Sequence, residues 1–124
     1  MNAVDSSAWL EYFSDGPNAA AFASVIEAPE DLVVPSLTLY EVFKKTANVA
    51  GETAALDAMA VMLQGRVVDL TATLAIDAAR VSRDSGLAMA DAVILATARM
   101  DGAVLWTQDA HFEGLDDVEY RSSR

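Results

Sequence analysis

The chain has no cysteine and only one histidine in 124 residues, and its basic residues are few. Each scarcity removes a class of chemistry. Without cysteine there is no disulfide framework, no thiolate zinc site and no thiol nucleophile. A lone histidine leaves no histidine pair for zinc, and neither a Gly-rich phosphate loop ending in Lys and Ser or Thr nor a Gly-x-Ser-x-Gly elbow occurs. No apolar run approaches the roughly 18 to 20 residues of a membrane span, and the N-terminus lacks a basic segment leading into a long apolar core. The chain therefore reads as soluble, unprocessed and cytoplasmic, with no membrane partner. Eight Lys and Arg against 19 Asp and Glu give a formal net charge of -11, the reverse of the basic patch that marks simple nucleic-acid binders. A nuclease is not excluded, because divalent cations cancel charge in an acidic site, and Lys44, Lys45, Arg80, Arg83 and Arg99 are available as a basic rim.

What the chain does have is apolar substance. With 53% hydrophobic residues and a mean hydropathy of +0.25, residues 1–124 suffice for one domain with a core of its own. Short strand-like runs alternate with longer helix-like ones, the pattern of a parallel sheet covered by helices. Strands are expected at 2–5, 32–34, 66–70, 103–107 and, from a weaker pattern, 118–121. Helices are expected at 7–13 and 18–26, from Ser36 as N-cap to about Val49, at 52–63 and 71–84, and from about Ala90 to Asp101.

Four acids lie where such a fold gathers its strand ends. Asp5 closes the first apolar run, Glu41 interrupts the apolar start of the third helix, Asp91 is the only charged residue between Asp84 and Arg99, and Asp109 follows the run ending at Thr107. Open α/β sheets bind ligands beyond the carboxyl ends of their strands. Carboxylates about 4 Å apart repel by roughly 4 kcal/mol at an effective dielectric near 20, so a converging quartet calls for a metal ion. A bound ion lowers the pKa of a water and stabilises charge developing on a phosphodiester, chemistry that needs neither histidine nor cysteine.

Each residue also has an ordinary role. Asp5 suits the cap of the first helix, and Asp91 suits a first helical turn, where the macrodipole favours a negative charge. Asp109 suits a turn or the cap of a short helix at 110–112, and Glu41 a half-buried position that demands a partner. Ser6 and Thr107 offer hydroxyls beside the quartet, though capping is the default for Ser6. His111 reads as a rim or packing residue before a general base, Trp9 and Trp106 as core.

Val4-Asp5-Ser6-Ser7-Ala8-Trp9, Glu41, Ala90-Asp91-Ala92-Val93-Ile94-Leu95-Ala96-Thr97-Ala98 and Leu105-Trp106-Thr107-Gln108-Asp109-Ala110-His111-Phe112, in this order and spacing, resemble the PIN-domain ribonucleases, specifically the VapC toxins of prokaryotic toxin-antitoxin pairs. The resemblance covers nearly the whole chain. It implies a three-layer α/β/α fold with a central twisted, mainly parallel sheet, and a magnesium- or manganese-dependent endoribonuclease held in check by a cognate antitoxin. It carries Asp5, Glu41, Asp91 and Asp109 onto the catalytic and metal-binding positions, with Ser6 and Thr107 beside them. Homodimers, and an antitoxin segment threaded into a groove of the toxin, are implied as well. Asp116 and Asp117 are ambiguous between a further site acid and a surface turn.

Other classes fit less well. A receiver domain wants adjacent acids after its first strand, where Asp5 is followed by serines, and a late lysine that the chain lacks. A dehalogenase-type phosphatase wants a second Asp at Ser7. A PIN-like protein serving only as a binding partner would not need the full quartet.

Overall fold

The structure, a computed structural model, describes residues 1–123. Five short strands form one sheet: β1 (Asn2–Val4), β2 (Leu32–Pro35), β3 (Arg66–Val68), β4 (Val104–Thr107) and β5 (Val118–Tyr120). All pairings are parallel and the spatial order is β3-β2-β1-β4-β5. The chain thus builds outward from β1 on one side through β2 and β3, then crosses to the other side for β4 and β5. The gap between β1 and β4 is the topological switch point, where ligands of such sheets bind. This order differs from the 2-1-3-4-5 arrangement of receiver domains, which removes that reading.

Strand alternation divides the core into two faces. Val4, Leu32 and Val34 point to one side and join Trp9, Phe22, Ile26, Val42 and Met62. These come from α1 (Ser6–Phe13), α2 (Ala19–Ile26), α3 (Ser36–Ala50) and α4 (Glu52–Met62). Ala3, Val33 and Leu105 point to the other side against Leu87, Ile94, Leu95, Ala98 and Phe112. Of these, Ile94, Leu95 and Ala98 lie on α6 (Met89–Met100), whose back is covered by α5 (Ala72–Ser85) through Leu74, Ala78, Val93 and Ala96. The result is the three-layer α/β/α arrangement of a PIN-like fold. Burial of a side chain such as Phe22 or Ile94 is worth about 1.5–3 kcal/mol, so the two faces supply most of the fold's driving force.

Helix α6 explains why Asp91 is isolated in sequence. Residues 92–98 are buried without interruption, because α6 is wedged between the sheet and α5 and has no solvated face along that stretch. Charge survives only at its ends, Asp91 in the first turn and Arg99 in the last. Gly86, at φ 79°, takes the left-handed conformation that ends α5 and turns the chain toward α6.

One local expectation is corrected and two are refined. Ser36 is the first helical residue of α3 and not its cap: Pro35 holds that position without a side-chain bond, and Thr38 Oγ1 returns a hydrogen bond of 2.7 Å to the Pro35 carbonyl. Trp106 packs against the same core as Trp9 but from its edge, half-buried, with its indole N–H donating to Asn2 Oδ1 at 2.9 Å. The rim arginines are not unpartnered, since Arg80, Arg83 and Arg99 lie 2.9, 3.9 and 3.5 Å from Asp77, Asp84 and Asp117, although Arg80 and Arg83 stay exposed.

Candidate metal centre

The site begins with Asp5, the residue after β1. Its backbone N–H continues the ladder by donating to the Trp106 carbonyl at 2.9 Å, which fixes Asp5 against the end of β4. Its side chain then caps α1, Oδ2 accepting from the Ser7 N–H at 3.3 Å. The same oxygen accepts from Ser7 Oγ at 2.6 Å and from Thr107 Oγ1 at 2.9 Å. Capping and site roles are therefore compatible. Asp5 is only 2% exposed, and burial raises its pKa. The hydroxyls of Ser7 and Thr107 work against that rise, and the nearby charge of Asp109 adds to it.

Thr107 ends β4 fully buried and ties two of the acids together. Its hydroxyl donates to Asp5 while accepting from the Asp109 backbone N–H at 2.9 Å. Asp109 then caps the short 3-10 turn Ala110–Phe112, with Oδ1 accepting from the His111 N–H at 2.9 Å. Glu41, one turn into α3, is half-buried and receives the Ser6 hydroxyl at 2.6 Å. Asp91 arrives from the start of α6, where a negative charge faces the helix dipole favourably.

The charges of the other three acids all reach Asp91. The Asp91 carboxyl is pushed up to about 6, first by burial and then by the charges of Asp5, Asp109 and Glu41, with His111 opposing them. Among the described residues no lysine or arginine lies within ion-pair distance of any of the four. The imidazole of His111 does lie nearby, with Nδ1 3.3 Å from Asp109 Oδ1 and 3.8 Å from Asp91 Oδ2. One donor atom each from Asp91, Asp109 and His111 all lie within 4.8 Å of one another.

Of the six positions singled out in the sequence, Asp91 and Asp109 thus stand together beside His111, Asp5 and Glu41 lie within electrostatic reach of Asp91, and Thr107 and Ser6 bond Asp5 and Glu41 respectively. Ser7 was overlooked. The signal was available, since a capping side chain bonds the N–H two or three positions on, so the hydroxyl beside Asp5 belongs to Ser7, while Ser6 turns to Glu41. His111 is exposed at the rim and is not a packing residue. Asp116 and Asp117 are exposed turn residues outside the cluster; the carbonyl of the first and the carboxylate of the second hold Arg99.

Solved structures share this architecture. A toxin-antitoxin complex from Klebsiella pneumoniae superposes with a TM-score of 0.79 at 22% identity, over 96% of this chain and 96% of that one. VapC20 of Mycobacterium tuberculosis, a sarcin-ricin loop cleaving toxin, gives 0.77 at 21% identity over 94% of this chain and 95% of its own. A protein from Pyrobaculum aerophilum gives 0.74 at 26% identity, over 97% and 88%. No curated protein sequence matches the chain. The PIN domain family, however, matches residues 3–118, spanning both strand ends and all four acids, and the chain belongs to that family.

Proposed function

We propose that the protein is a divalent-metal-dependent endoribonuclease acting as the toxin of a toxin-antitoxin pair, with residues 1–124 as a single catalytic domain. The observation that carries this reading is the convergence of four carboxylates, without a lysine or arginine against them among the described residues, at the switch point of a PIN fold. The toxin-antitoxin complex and the sarcin-ricin loop cleaving toxin among the similar structures support the same reading.

The residues present fit a hard divalent cation. Asp5, Glu41, Asp91 and Asp109 offer oxygen donors and a surplus of negative charge, the set that Mg2+ or Mn2+ prefers. Such an ion, when bound, lowers the pKa of an attacking water and neutralises charge developing on the phosphate. The protein's own part is positioning. Ser7 and Thr107 fix the Asp5 carboxylate, Thr107 also fixes the Asp109 backbone, and Ser6 fixes Glu41, so each acid is held before substrate arrives. Lys44 and Lys45 are exposed on α3, the helix of Glu41, and suit contact with the RNA backbone.

A cognate antitoxin would silence the site most directly by inserting an arginine, whose fork pairs with carboxylates. An apolar groove between α1 and α3, of about 340 Å³ and lined by Leu10, Phe13, Val49 and Ala50, suits the remainder of such a segment. Homodimer formation, as in the toxins it resembles, belongs to the same reading.

The test is digestion of total cellular RNA by the purified, antitoxin-free protein with Mg2+ or Mn2+, with EDTA, and by the Asp5→Asn variant. Discrete cuts that require both the ion and Asp5 are expected. Equal cleavage in EDTA or by Asp5→Asn would overturn the assignment, and no cleavage by a folded sample would favour a binding-only PIN protein.

A further inference from the structure

We propose that His111 is a ligand of this metal centre, adding a nitrogen donor to Asp91 and Asp109, and that it biases the site toward a transition ion such as Mn2+ over Mg2+. The inference rests on the metal-dependent reading above and refines it.

Three observations support it. First, the turn delivers the ring. Asp109 Oδ1 accepts from the His111 backbone N–H at 2.9 Å, and the imidazole folds back so that Nδ1 comes within 3.3 Å of that oxygen. Second, the same Nδ1 stands 3.8 Å from Asp91 Oδ2, so the ring spans two of the four acids, and the three donors lie close enough together for one coordination sphere after small rotations. Third, the His111 side chain is 77% exposed, so the core does not hold the ring in place, and its close polar neighbours are these site carboxylates.

The chemistry then sets the preference. Neutral imidazole is a good ligand for first-row transition ions, whereas Mg2+ takes oxygen and holds its waters tightly. Four carboxylates alone would serve either ion. A fifth, nitrogen donor adds affinity only for the ion that accepts it.

The competing explanation is that His111 is a mere ion-pair partner of the acids. It makes the opposite prediction, since His111→Ala would remove a competing positive charge and tighten Mg2+ and Mn2+ alike. Titration calorimetry of the metal-stripped full chain with Mn2+ alone and Mg2+ alone separates the two. The wild type is expected to prefer Mn2+, and His111→Ala to weaken Mn2+ by about tenfold while leaving Mg2+ within about twofold. The electron spin echo of bound Mn2+ should show nitrogen coupling that disappears in the variant. Because the ring is exposed, the variant should melt with the wild type. Binding of both ions without nitrogen coupling, or an equal shift of both in His111→Ala, would overturn the His111 role and leave the metal site standing. If the wild type bound neither ion, the metal reading itself would fall.

Discussion

Helix α5 and the proposed metal centre both carry aspartates, and they treat them in opposite ways. On α5, Asp77 pairs with Arg80 at 2.9 Å and Asp84 lies 3.9 Å from Arg83, all with exposed side chains. Arg66 and Arg99 similarly face Asp101 and Asp117. At the carboxyl ends of β1 and β4, by contrast, Asp5, Glu41, Asp91 and Asp109 are met by hydroxyls, backbone N–H groups and one imidazole. A chain with net charge -11 has few cations, and three of its arginines, Arg80, Arg83 and Arg99, are placed on exposed acids that water already solvates, while Arg66 meets the half-buried Asp101. Among the described residues, no lysine or arginine pairs with the acids that would gain most from a positive charge. That asymmetry supports the proposed binding of a cation from outside.

The sharpest way to break the comparison is to remove one site acid. Asp91→Asn should lower RNA cleavage by more than about a hundredfold, beyond the usual loss for a residue that only supports a ligand. Initial rates at saturating Mn2+ check this, and near-wild-type rates would place Asp91 outside the chemistry. Thr107→Val should come next. It keeps the shape but removes a donor to Asp5 and strands the Asp109 N–H, costing about 1–3 kcal/mol in stability and about tenfold in metal affinity. Urea unfolding and calorimetry read the two effects separately.

A third test uses pH. The Asp91 carboxyl titrates near 6 in the folded protein against an ordinary 3.8. Between those values the folded state keeps a proton that the unfolded chain has lost, so stability falls as pH rises through the window and stays low above it. Burial of Asp5 acts in the same direction. The metal-free protein should therefore melt at a higher temperature at pH 5 than at pH 7, and saturating Mn2+ at pH 7 should reverse the deficit. A metal-free Tm that rises between pH 5 and pH 7 would contradict the repulsion. The smallest effect is expected on the other side of the comparison. Asp77→Asn breaks an exposed pair worth about 0–1 kcal/mol and should leave metal binding and cleavage unchanged.

Much of this was legible in the sequence because the physical signals were strong. The alternation of apolar runs located all five strands and six helices to within a few residues, and an acid inside or at the end of an apolar stretch has few reasons to be there. The parts that were not legible depend on side-chain direction. Ser6 and Ser7 are adjacent and alike, yet in the first turn of α1 one turns to Glu41 and the other to Asp5. Ser36 looked like a cap because serine favours that role, but the chain enters α3 straight from the last residue of β2, so Pro35 occupies the capping position. His111 reads from the sequence as a rim or packing residue, since only the turn made by Asp109 brings its ring back toward the acids.

The most direct test of the central claim is thermal unfolding of wild type, Asp91→Asn and Asp77→Asn at pH 7, each with and without Mn2+. Wild type and Asp77→Asn should melt together and both gain stability from the ion. Asp91→Asn should start higher without metal, because a repelling charge is gone, and gain little or nothing when Mn2+ is added. Equal stabilisation of all three by Mn2+, or a metal-free Asp91→Asn that melts below wild type, would contradict a cluster of uncompensated carboxylates waiting for a cation.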